Sequence, residues 1–270
     1  MDIKYLEKLA NQGRIHILNQ VYNAQSGHIG GAFSAMDIMV YLFFERMNYS
    51  KNNWDKPERD RFILSKGHAS ASLYSVFALK GLIDEEELST FRKIDSRLQG
   101  HPSHKSLPYV EQSTGSLGQG LSFANGVALG LKLDKIDAHV YCLIGDGEIN
   151  EGQIWEALMT SNKNSLDNLT VILDYNHLQI DGFIEDIKNP MPTPDRFKSF
   201  GFNVIEIDGH DFDDIKKGFD CCNDSIKPNF IIAHTVKGKG VSFMENKVGW
   251  HGSPPDKEQY EKAMKELKVD

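Results

Sequence analysis

Two apolar runs, each closed by polar residues, constrain the fold of this chain more than any other feature. Residues 140–144 and 169–173 are rich in branched and aromatic side chains, which suit strands that are buried on both faces. Between the runs, Ile154, Leu158 and Met159 recur at helical spacing, so residues 151–163 are predicted to form a helix. A strand, a crossover helix and a second strand form parallel neighbours by the right-handed rule. The sequence therefore predicts an α/β fold whose sheet is mostly parallel.

The residues that follow these two runs carry oxygen donors. A Gly-Asp-Gly triplet at 145–147 ends the first run, and Asn176 comes shortly after the second. Parallel neighbours end at the same sheet edge, so Asp146 and Asn176 should lie side by side where open α/β sheets bind ligands. Carboxylate and amide oxygens suit a hard cation such as Mg²⁺, which also takes water and phosphate oxygens. The pattern favours a metal site for a phosphorylated or diphosphate ligand, although an ordinary turn fits the spacing alone equally well.

Length, charge and cysteine content narrow the class of protein. The 270 residues, 40% of them hydrophobic, can bury one large core, and no clear internal boundary appears, so residues 1–270 are predicted to be a single domain. A net charge of −8 argues against a nucleic-acid-binding surface. Three cysteines do not form a disulfide framework, and no apolar signal core or membrane span is visible. The cytoplasm is the expected location.

Periodicity and turn residues predict the remaining elements. One or two helices are expected over residues 3–22, with Gly13 as a weak point, and further helices over 34–46 with Ser34 as the cap and over 117–131. Further strands are expected at 61–64, 202–207 and 230–234, and the proline-rich residues 189–194 are expected to form a surface loop.

Histidines adjoin glycines more often than the composition predicts. Glycine neighbours favour exposed turns where a ligand can approach the backbone closely. The five histidines with this property are His28, His68, His101, His210 and His251. This excess indicates a binding or catalytic site, whereas a single Gly-His pair would more simply belong to a loop.

Six motifs occur in one order along the chain: SGHIGG at 26–31, SKGHAS at 65–70, GHP at 100–102, TGSLGQG at 114–120, GDGEINEG at 145–152 and WHG at 250–252. This ordered set resembles the transketolase family and covers roughly residues 13–255, which correspond to the first of that family's three domains. The resemblance implies an α/β three-layer sandwich with a mostly parallel sheet, the thiamine diphosphate-binding fold of the diphosphate-binding domain.

The resemblance also implies roles for individual residues. The catalytic histidines surrounding the reactive ring of the cofactor and the sugar would be His28, His68, His101 and His251. The cofactor-binding residues would be Lys66, His68, Gly115, Ser116, Leu117, Gly147, Glu148, Asn176, Lys237 and His251. The metal, Mg²⁺ or Ca²⁺, would be held by Asp146, Asn176 and the main-chain oxygen of Leu178. Glu151 and Glu156 would join an acidic network across a subunit interface. His210 matches less well and is left outside the site.

Two residues depart from the family pattern. Ile29 replaces a common proline, and Tyr175 replaces a common Asn or Asp before the metal-binding Asn176. Neither change removes a metal-binding atom.

The function that the resemblance implies is that of the amino-terminal subunit of a heteromeric transketolase. Such an enzyme transfers a two-carbon ketol unit from a ketose or ketose phosphate to an aldose or aldose phosphate, using thiamine diphosphate and a divalent metal. The glutamate that protonates the cofactor's pyrimidine belongs to a domain that this sequence does not match. The chain alone is therefore expected to be inactive and to need a separately encoded partner of about 300 residues, two copies of each forming a heterotetramer.

Two other functions remain open at this point. The cofactor-binding subunit of a 2-oxo acid dehydrogenase or decarboxylase would explain the metal site but not the group of histidines. A non-catalytic module that binds a metal and a diphosphate would also retain Asp146 and Asn176.

Overall fold

A computed structural model describes residues 2–188 and 192–268 of the protein, and its centre is one sheet of five strands. The strands are β1 (Arg61–Leu64), β2 (Val140–Gly145), β3 (Leu169–Tyr175), β4 (Asn203–Asp208) and β5 (Asn229–His234). Their order across the sheet is β1-β2-β3-β5-β4, and every pairing is parallel. The five predicted strands are confirmed, with ends that differ by two residues at most.

Helices cover both faces of the sheet. The α-helices are α1 (Ile3–Ala24), α2 (Ile29–Ser34), α3 (Met36–Tyr41), α4 (Ser70–Leu79), α5 (Gln119–Leu133), α6 (Gly152–Lys163), α7 (Ile184–Ile187), α8 (Pro194–Ser199), α9 (Phe212–Asp220) and α10 (Lys257–Leu267). A π-helical turn spans Leu42–Arg46, and 3₁₀ turns span Gly67–Ala69, Glu85–Thr90, Gly147–Asn150 and Val248–Trp250.

Alternate residues of each strand point into two separate apolar cores. Leu143 and Ile172 belong to the core beneath α1 to α4, α9 and α10, whereas Cys142 and Val171 belong to the core beneath α5, α6 and α8. Because side chains alternate along a strand, a sheet that is apolar on both sides must be covered on both sides. The predicted three-layer α/β sandwich is confirmed.

The predicted helix over 34–46 is wrong at its start. Ser34 ends α2, and α3 begins at Met36. The Ser34 hydroxyl does not cap a helix; it lies 2.6 Å from the buried carboxylate of Asp174 and donates to it. The buried carboxylate of Asp174 needs hydrogen-bond donors, and Ser34 supplies one of them instead of capping a helix.

Helix α1 runs unbroken through Gly13, the residue at which the sequence left open a division into two helices. A Cβ atom at this position would lie 2.7 Å from the Met36 side chain. The glycine therefore lets α1 and α3 approach each other closely. In the proline-rich stretch, residues 189–191 lie outside the described residues, and α8 begins at Pro194, so the predicted loop ends earlier than expected.

No helix in the described part of the chain combines the length and the hydrophobicity needed to cross a lipid bilayer.

Candidate functional site

The carboxyl ends of β2 and β3 bring the predicted metal-binding residues to one edge of the sheet. Gly145 pairs with Asp174 in the parallel register, so Asp146 and Asn176 both follow directly from paired strand ends. Both side chains are buried, and both line a cavity of about 360 Å³. This volume lies within the range of small-molecule sites.

Asp146 has one carboxylate oxygen without a hydrogen-bond partner among the described residues. Its Oδ1 accepts a hydrogen bond from the backbone N–H of Gly147 at 2.7 Å, whereas its buried Oδ2 accepts none from this part of the chain. Burial, reinforced by the negative charge of Asp174, raises the pKa of Asp146 to about 7. A buried carboxylate with an unpaired oxygen is unfavourable unless a cation completes its surroundings. This oxygen fits the predicted role of a metal ligand.

The other two predicted metal ligands are Asn176 and the Leu178 carbonyl, which follow the end of β3. The Asn176 side-chain oxygen accepts from the backbone N–H of Leu178 at 3.2 Å, and this bond fixes the turn that presents the Leu178 carbonyl. In this structure the Leu178 carbonyl oxygen accepts from the Lys237 ammonium at 3.1 Å. The ammonium of Lys237 therefore lies at the oxygen that the family resemblance assigns to a metal ion.

Asp174, which was not among the predicted site residues, anchors the site from beneath. Its fully buried carboxylate accepts from Ser34, Lys66 and Thr235, and from Asn176 at 3.3 Å. Burial alone would raise its pKa, but the Lys66 ammonium and these hydrogen bonds hold the pKa below its usual value. The sequence signal that could have identified Asp174 is its charge at the end of a mostly apolar strand.

Lys66 and Lys237 are both buried at the cavity wall, although exposure is usual for lysine. The Lys66 ammonium donates to the Gly31 carbonyl at 2.9 Å and to Asp174. Besides its bond to Leu178, Lys237 lies 2.7 Å from Nδ1 of His251. An ammonium has three donors, so each lysine keeps one N–H for a ligand. Burial lowers the pKa of Lys237 to about 8.

The four predicted catalytic histidines form one cluster. The ring centre of His28 lies 5.2 Å from that of His68, 6.3 Å from that of His101 and 5.5 Å from that of His251. His68 and His251 are 5.5 Å apart. His28, His68 and His251 line the cavity, and His101 stands beside them, exposed to solvent.

The imidazoles of this cluster are neutral near pH 7. Burial and the nearby positive charges lower the pKa of His28 to about 4 and that of His251 to about 3, and they also lower the pKa of His68 and His101. A neutral imidazole donates through one nitrogen and accepts through the other. Since the Lys237 ammonium can only donate, Nδ1 of His251 accepts and Nε2 carries the hydrogen. The cluster can therefore bind hydroxyl groups and move protons.

His210 takes part in a separate network and does not reach the cluster. The backbone N–H of Val236 donates to its Nε2 at 2.8 Å, so its Nδ1 carries the hydrogen and donates to Asp37 at 2.6 Å. This arrangement agrees with leaving His210 outside the predicted site.

Glycines let the backbone approach the cavity. Gly115 has a φ of +151°, and a Cβ atom there would lie 3.0 Å from the His101 ring. A Cβ atom at Gly147 would lie 3.1 Å from Gln179. Larger residues at these positions would narrow the space beside His101 and beside the turn that follows Asn176.

Glu148 is part of the cavity wall and also braces it. Its buried carboxylate accepts from the Ser65 hydroxyl, from the Gly118 N–H at 2.8 Å and from the Gly145 N–H at 3.0 Å. Burial raises its pKa, while these hydrogen bonds oppose the rise. The end of β2, the residue after β1 and the residue before α5 therefore meet at one side chain.

The structure gathers most of the predicted site residues around the same cavity. Those that line it are His28, Lys66, His68, Gly115, Leu117, Asp146, Gly147, Glu148, Glu151, Asn176, Leu178, Lys237 and His251. Ser116 and Glu156 are exposed outside the lining, and Glu156 lies on α6. Gln179 and Ile180 also line the cavity and were not predicted; their place directly after Leu178 was the only hint in the sequence.

The fold and the site define an α/β domain built to bind a diphosphate together with a divalent cation. Residues 6–270 match the family described as transketolase, thiamine diphosphate binding domain. The chain belongs to this family, which confirms the resemblance seen in the sequence. Thiamine diphosphate and a divalent metal are the cofactors that this domain implies.

Some relatives match this chain along nearly their whole length, and others along less than half of it. The chain is 40% identical over 268 residues to an apulose-4-phosphate transketolase subunit of Phocaeicola vulgatus, covering 99% of this chain and 95% of the relative. It is 38% identical to a 6-deoxy-6-sulfo-D-fructose transketolase subunit of Clostridium sp., covering 97% and 96%. Human transketolase is 41% identical over 273 residues, but only 42% of its length is covered.

A solved structure shows the same fold. The transketolase of Campylobacter jejuni superposes with a TM-score of 0.94 at 36% sequence identity, covering 100% of this chain and 44% of that protein. The chain therefore spans less than half the length of the human and C. jejuni transketolases.

Proposed function

We propose that this protein is the amino-terminal subunit of a two-chain transketolase, which transfers a two-carbon ketol unit from a ketose or its phosphate to an aldose or its phosphate. The observation that carries this proposal is the group of four neutral histidines beside a cavity with an unpaired Asp146 oxygen and two buried lysines. A 2-oxo acid dehydrogenase or decarboxylase needs no such group of hydroxyl-binding imidazoles. The relatives named as transketolase subunits also favour ketol transfer over that alternative.

The residues of the cavity fit thiamine diphosphate and its metal. Asp146, Asn176 and the Leu178 carbonyl would supply oxygen ligands, and the spare N–H groups of Lys66 and Lys237 would meet phosphate oxygens. The other binding residues proposed are His68, Gly115, Ser116, Leu117, Gly147, Glu148 and His251. When bound, the cofactor supplies the electron sink for carbon-carbon bond cleavage.

The histidines would handle the sugar. His28, His68, His101 and His251 would donate hydrogen bonds to its hydroxyl groups and carry protons, with Nε2–H of His251 directed by Lys237 at Nδ1. Holding the sugar by several such bonds restricts its orientation, and this contributes to the rate.

The proposed partner is a separately encoded carboxyl-terminal subunit of about 300 residues, two of each chain forming a heterotetramer. Two relatives that match along 95–96% of their own length are named as transketolase subunits, which supports a two-chain enzyme. Glu151 borders the cavity and Glu156 is exposed nearby on α6, which supports a place for both at the interface with the partner chain.

We further propose that residues 1–270 form one domain and that the protein acts in the cytoplasm. One continuous sheet separates the two cores, which supports a single domain. The three cysteines are free thiols, which supports a reducing compartment.

The experiment that tests the function is reconstitution. The chain is co-purified with the product of the neighbouring reading frame, and ketol transfer is assayed with each chain alone and with both. Since one relative's name carries a sugar phosphate and another's a sulfonated sugar, both kinds of donor are tested. We expect turnover only with both chains.

Other outcomes of this experiment would replace the proposal. Release of carbon dioxide from a 2-oxo acid without ketol transfer would favour the decarboxylase alternative. Binding of thiamine diphosphate without any turnover by the reconstituted complex would favour a non-catalytic module.

A further inference from the structure

Arg92 lies between the two loops that carry His28 and His101. Its Nη1 donates to the Ser26 hydroxyl at 3.0 Å, two residues before His28. Its Nη2 donates to the Gly100 carbonyl at 3.4 Å, immediately before His101. One guanidinium therefore joins two loops that are more than 70 positions apart in the sequence.

The backbone around Arg92 is shaped to hold the side chain in this place. Arg92 has a φ of +60°, a left-handed conformation that costs a residue with a Cβ atom about 1 kcal/mol or more. The neighbouring Phe91 ring is buried, and a Cβ atom at Gly27 would lie 3.5 Å from it. A Cβ atom at Gly100 would lie 2.7 Å from the guanidinium carbon, so the guanidinium packs directly on that backbone. Residues 91–92 thus support both loops.

The charge of Arg92 also acts on the two histidines. After burial, its positive charge is the next influence that lowers the pKa of both His28 and His101. His101 and Lys237 also lower the pKa of His28, while His68 and His251 pack against its ring. Arg92 is not part of the cavity wall, and its two side-chain hydrogen bonds go to the loops that carry His28 and His101.

We propose that Arg92 is a positioning residue that joins the His28 loop to the His101 loop and fixes the two imidazoles relative to each other. Its importance for turnover rests on the proposed ketol transfer, but the coupling of the two loops does not. Lysine cannot replace it, because the two loops are bound by two different nitrogens of the planar guanidinium, whereas a lysine ammonium has one nitrogen.

The first test follows the histidines in the chain by itself. Imidazole NMR signals of His28 and His101, assigned with single His→Gln variants, are recorded against pH in wild type, Arg92→Met, Arg92→Lys and Arg97→Met. Arg97 is a matched control because it belongs to the same segment and pairs with Glu87 at the surface. We expect the signals of both histidines to shift and their titrations to rise in Arg92→Met, with His139 unchanged. Arg97→Met should match wild type.

The second test uses the reconstituted complex. Arg92→Met should lower kcat/KM by about 10- to 100-fold, the scale of a misplacement of the reacting groups, while the Kd for thiamine diphosphate changes less than threefold. Arg92→Lys keeps the charge, so it should leave the titrations near wild type yet lose most of the turnover.

Either of two results would overturn the positioning role. One is that Arg92→Met leaves the His28 and His101 titrations and signals as in wild type. The other is that it weakens cofactor binding as much as turnover, which a general loss of structure would produce. If the histidine signals shift as expected but wild-type complex shows no ketol transfer, the coupling of the loops stands and the proposed function fails.

Discussion

At the scale of single residues, two buried carboxylates at one sheet edge have opposite surroundings. Asp174 is surrounded by Lys66 and three neutral donors, whereas Asp146 keeps an oxygen without a partner in residues 2–188 and 192–268. Burial disfavours the charged form of both carboxylates, and the partners of Asp174 offset this cost. Asp174 therefore acts as an anchor, and Asp146 is the residue left available to a cation.

Removing the Asp146 carboxylate should abolish metal-dependent retention of thiamine diphosphate. The change is Asp146→Ala, and we expect the Kd for the cofactor in the presence of Mg²⁺ to rise about 100-fold or more, since an anionic metal ligand is lost. Titration calorimetry of the reconstituted complex measures it. Asp195→Ala is the control, because that carboxylate is exposed on α8. Unchanged retention in Asp146→Ala would remove the metal assignment.

Replacing His101 should impair turnover far more than cofactor binding. His101 stands at the exposed side of the histidine cluster, outside the cavity wall, so its proposed ligand is the sugar. His101→Ala should lower kcat/KM by about 100-fold or more, the usual scale of a hydrogen-bonding or proton-transfer group. Steady-state assays are run beside His104→Ala, which removes an exposed histidine three positions further along. Wild-type turnover by His101→Ala would reject the assignment.

At the scale of elements, one buried ion network joins parts of the fold that are distant in sequence. Arg14 of α1 donates to Asp37 of α3, and Asp37 accepts from His210 after β4. The other nitrogen of His210 accepts from Val236, directly before Lys237. The network therefore ties two helices to the backbone that carries a cavity lysine.

Breaking this network should destabilise the protein strongly. Asp37→Ala leaves the buried Arg14 guanidinium without its counter-ion, so we expect a loss of about 3–5 kcal/mol in the free energy of unfolding. Urea denaturation measures the loss. Asp220→Ala, which breaks the exposed pair with Lys216 on α9, should cost about 0.5 kcal/mol or less. Equal effects of the two substitutions would show that the network contributes no more than a surface pair.

Element boundaries show where sequence reasoning works and where it stops. Both ends of strand β1 were predicted correctly, and its last residue is marked by the end of the apolar side chains at Leu64. Ser34 was misread, because its partner is Asp174, which lies 140 positions away. Apolar periodicity depends on which residues face the core. It contains no information about a hydrogen bond to a residue that is distant in the sequence.

At the scale of the whole molecule, neutral histidines make stability depend on pH. The pKa of His28 and of His139 is lowered to about 4 and that of His251 to about 3, mainly by burial. In the unfolded chain these residues take up protons near pH 6.5. As the pH falls below that value, the unfolded state therefore binds protons before the folded state does, and stability decreases until the folded pKa values are reached.

The free energy of unfolding should thus decrease as the pH falls from about 6.5 to about 4, because the three histidines together outweigh the opposite contribution of Asp146, whose pKa is raised to about 7. Each such histidine contributes at most about 1.4 kcal/mol per pH unit. Urea denaturation across this range measures the slope. His139→Gln keeps a polar group that can reach Thr170 but does not titrate, so its slope should be smaller than that of wild type. An identical slope would mean that His139 is not held neutral in the folded protein.

The sequence by itself determined the parallel sheet, the edge at which Asp146 and Asn176 meet and, through its resemblance to a known family, the cofactor class. Chain direction and the right-handed crossover leave one arrangement for two apolar strands joined by a helix, and the polar residues after each strand must then share an edge. The four histidines of the cluster could also be predicted, because each lies in one of the ordered motifs of the sequence.

Only the tertiary structure decided which partners these residues have. The pairing of Lys66 with Asp174, the contact of Lys237 with His251 and the bridge that Arg92 makes to Ser26 and Gly100 each join separate loops. Such contacts depend on which loops come together after the two cores have packed, and local composition contains no signal for them. Burial follows from the same packing, and burial is what holds the histidines neutral and leaves an Asp146 oxygen open to a cation.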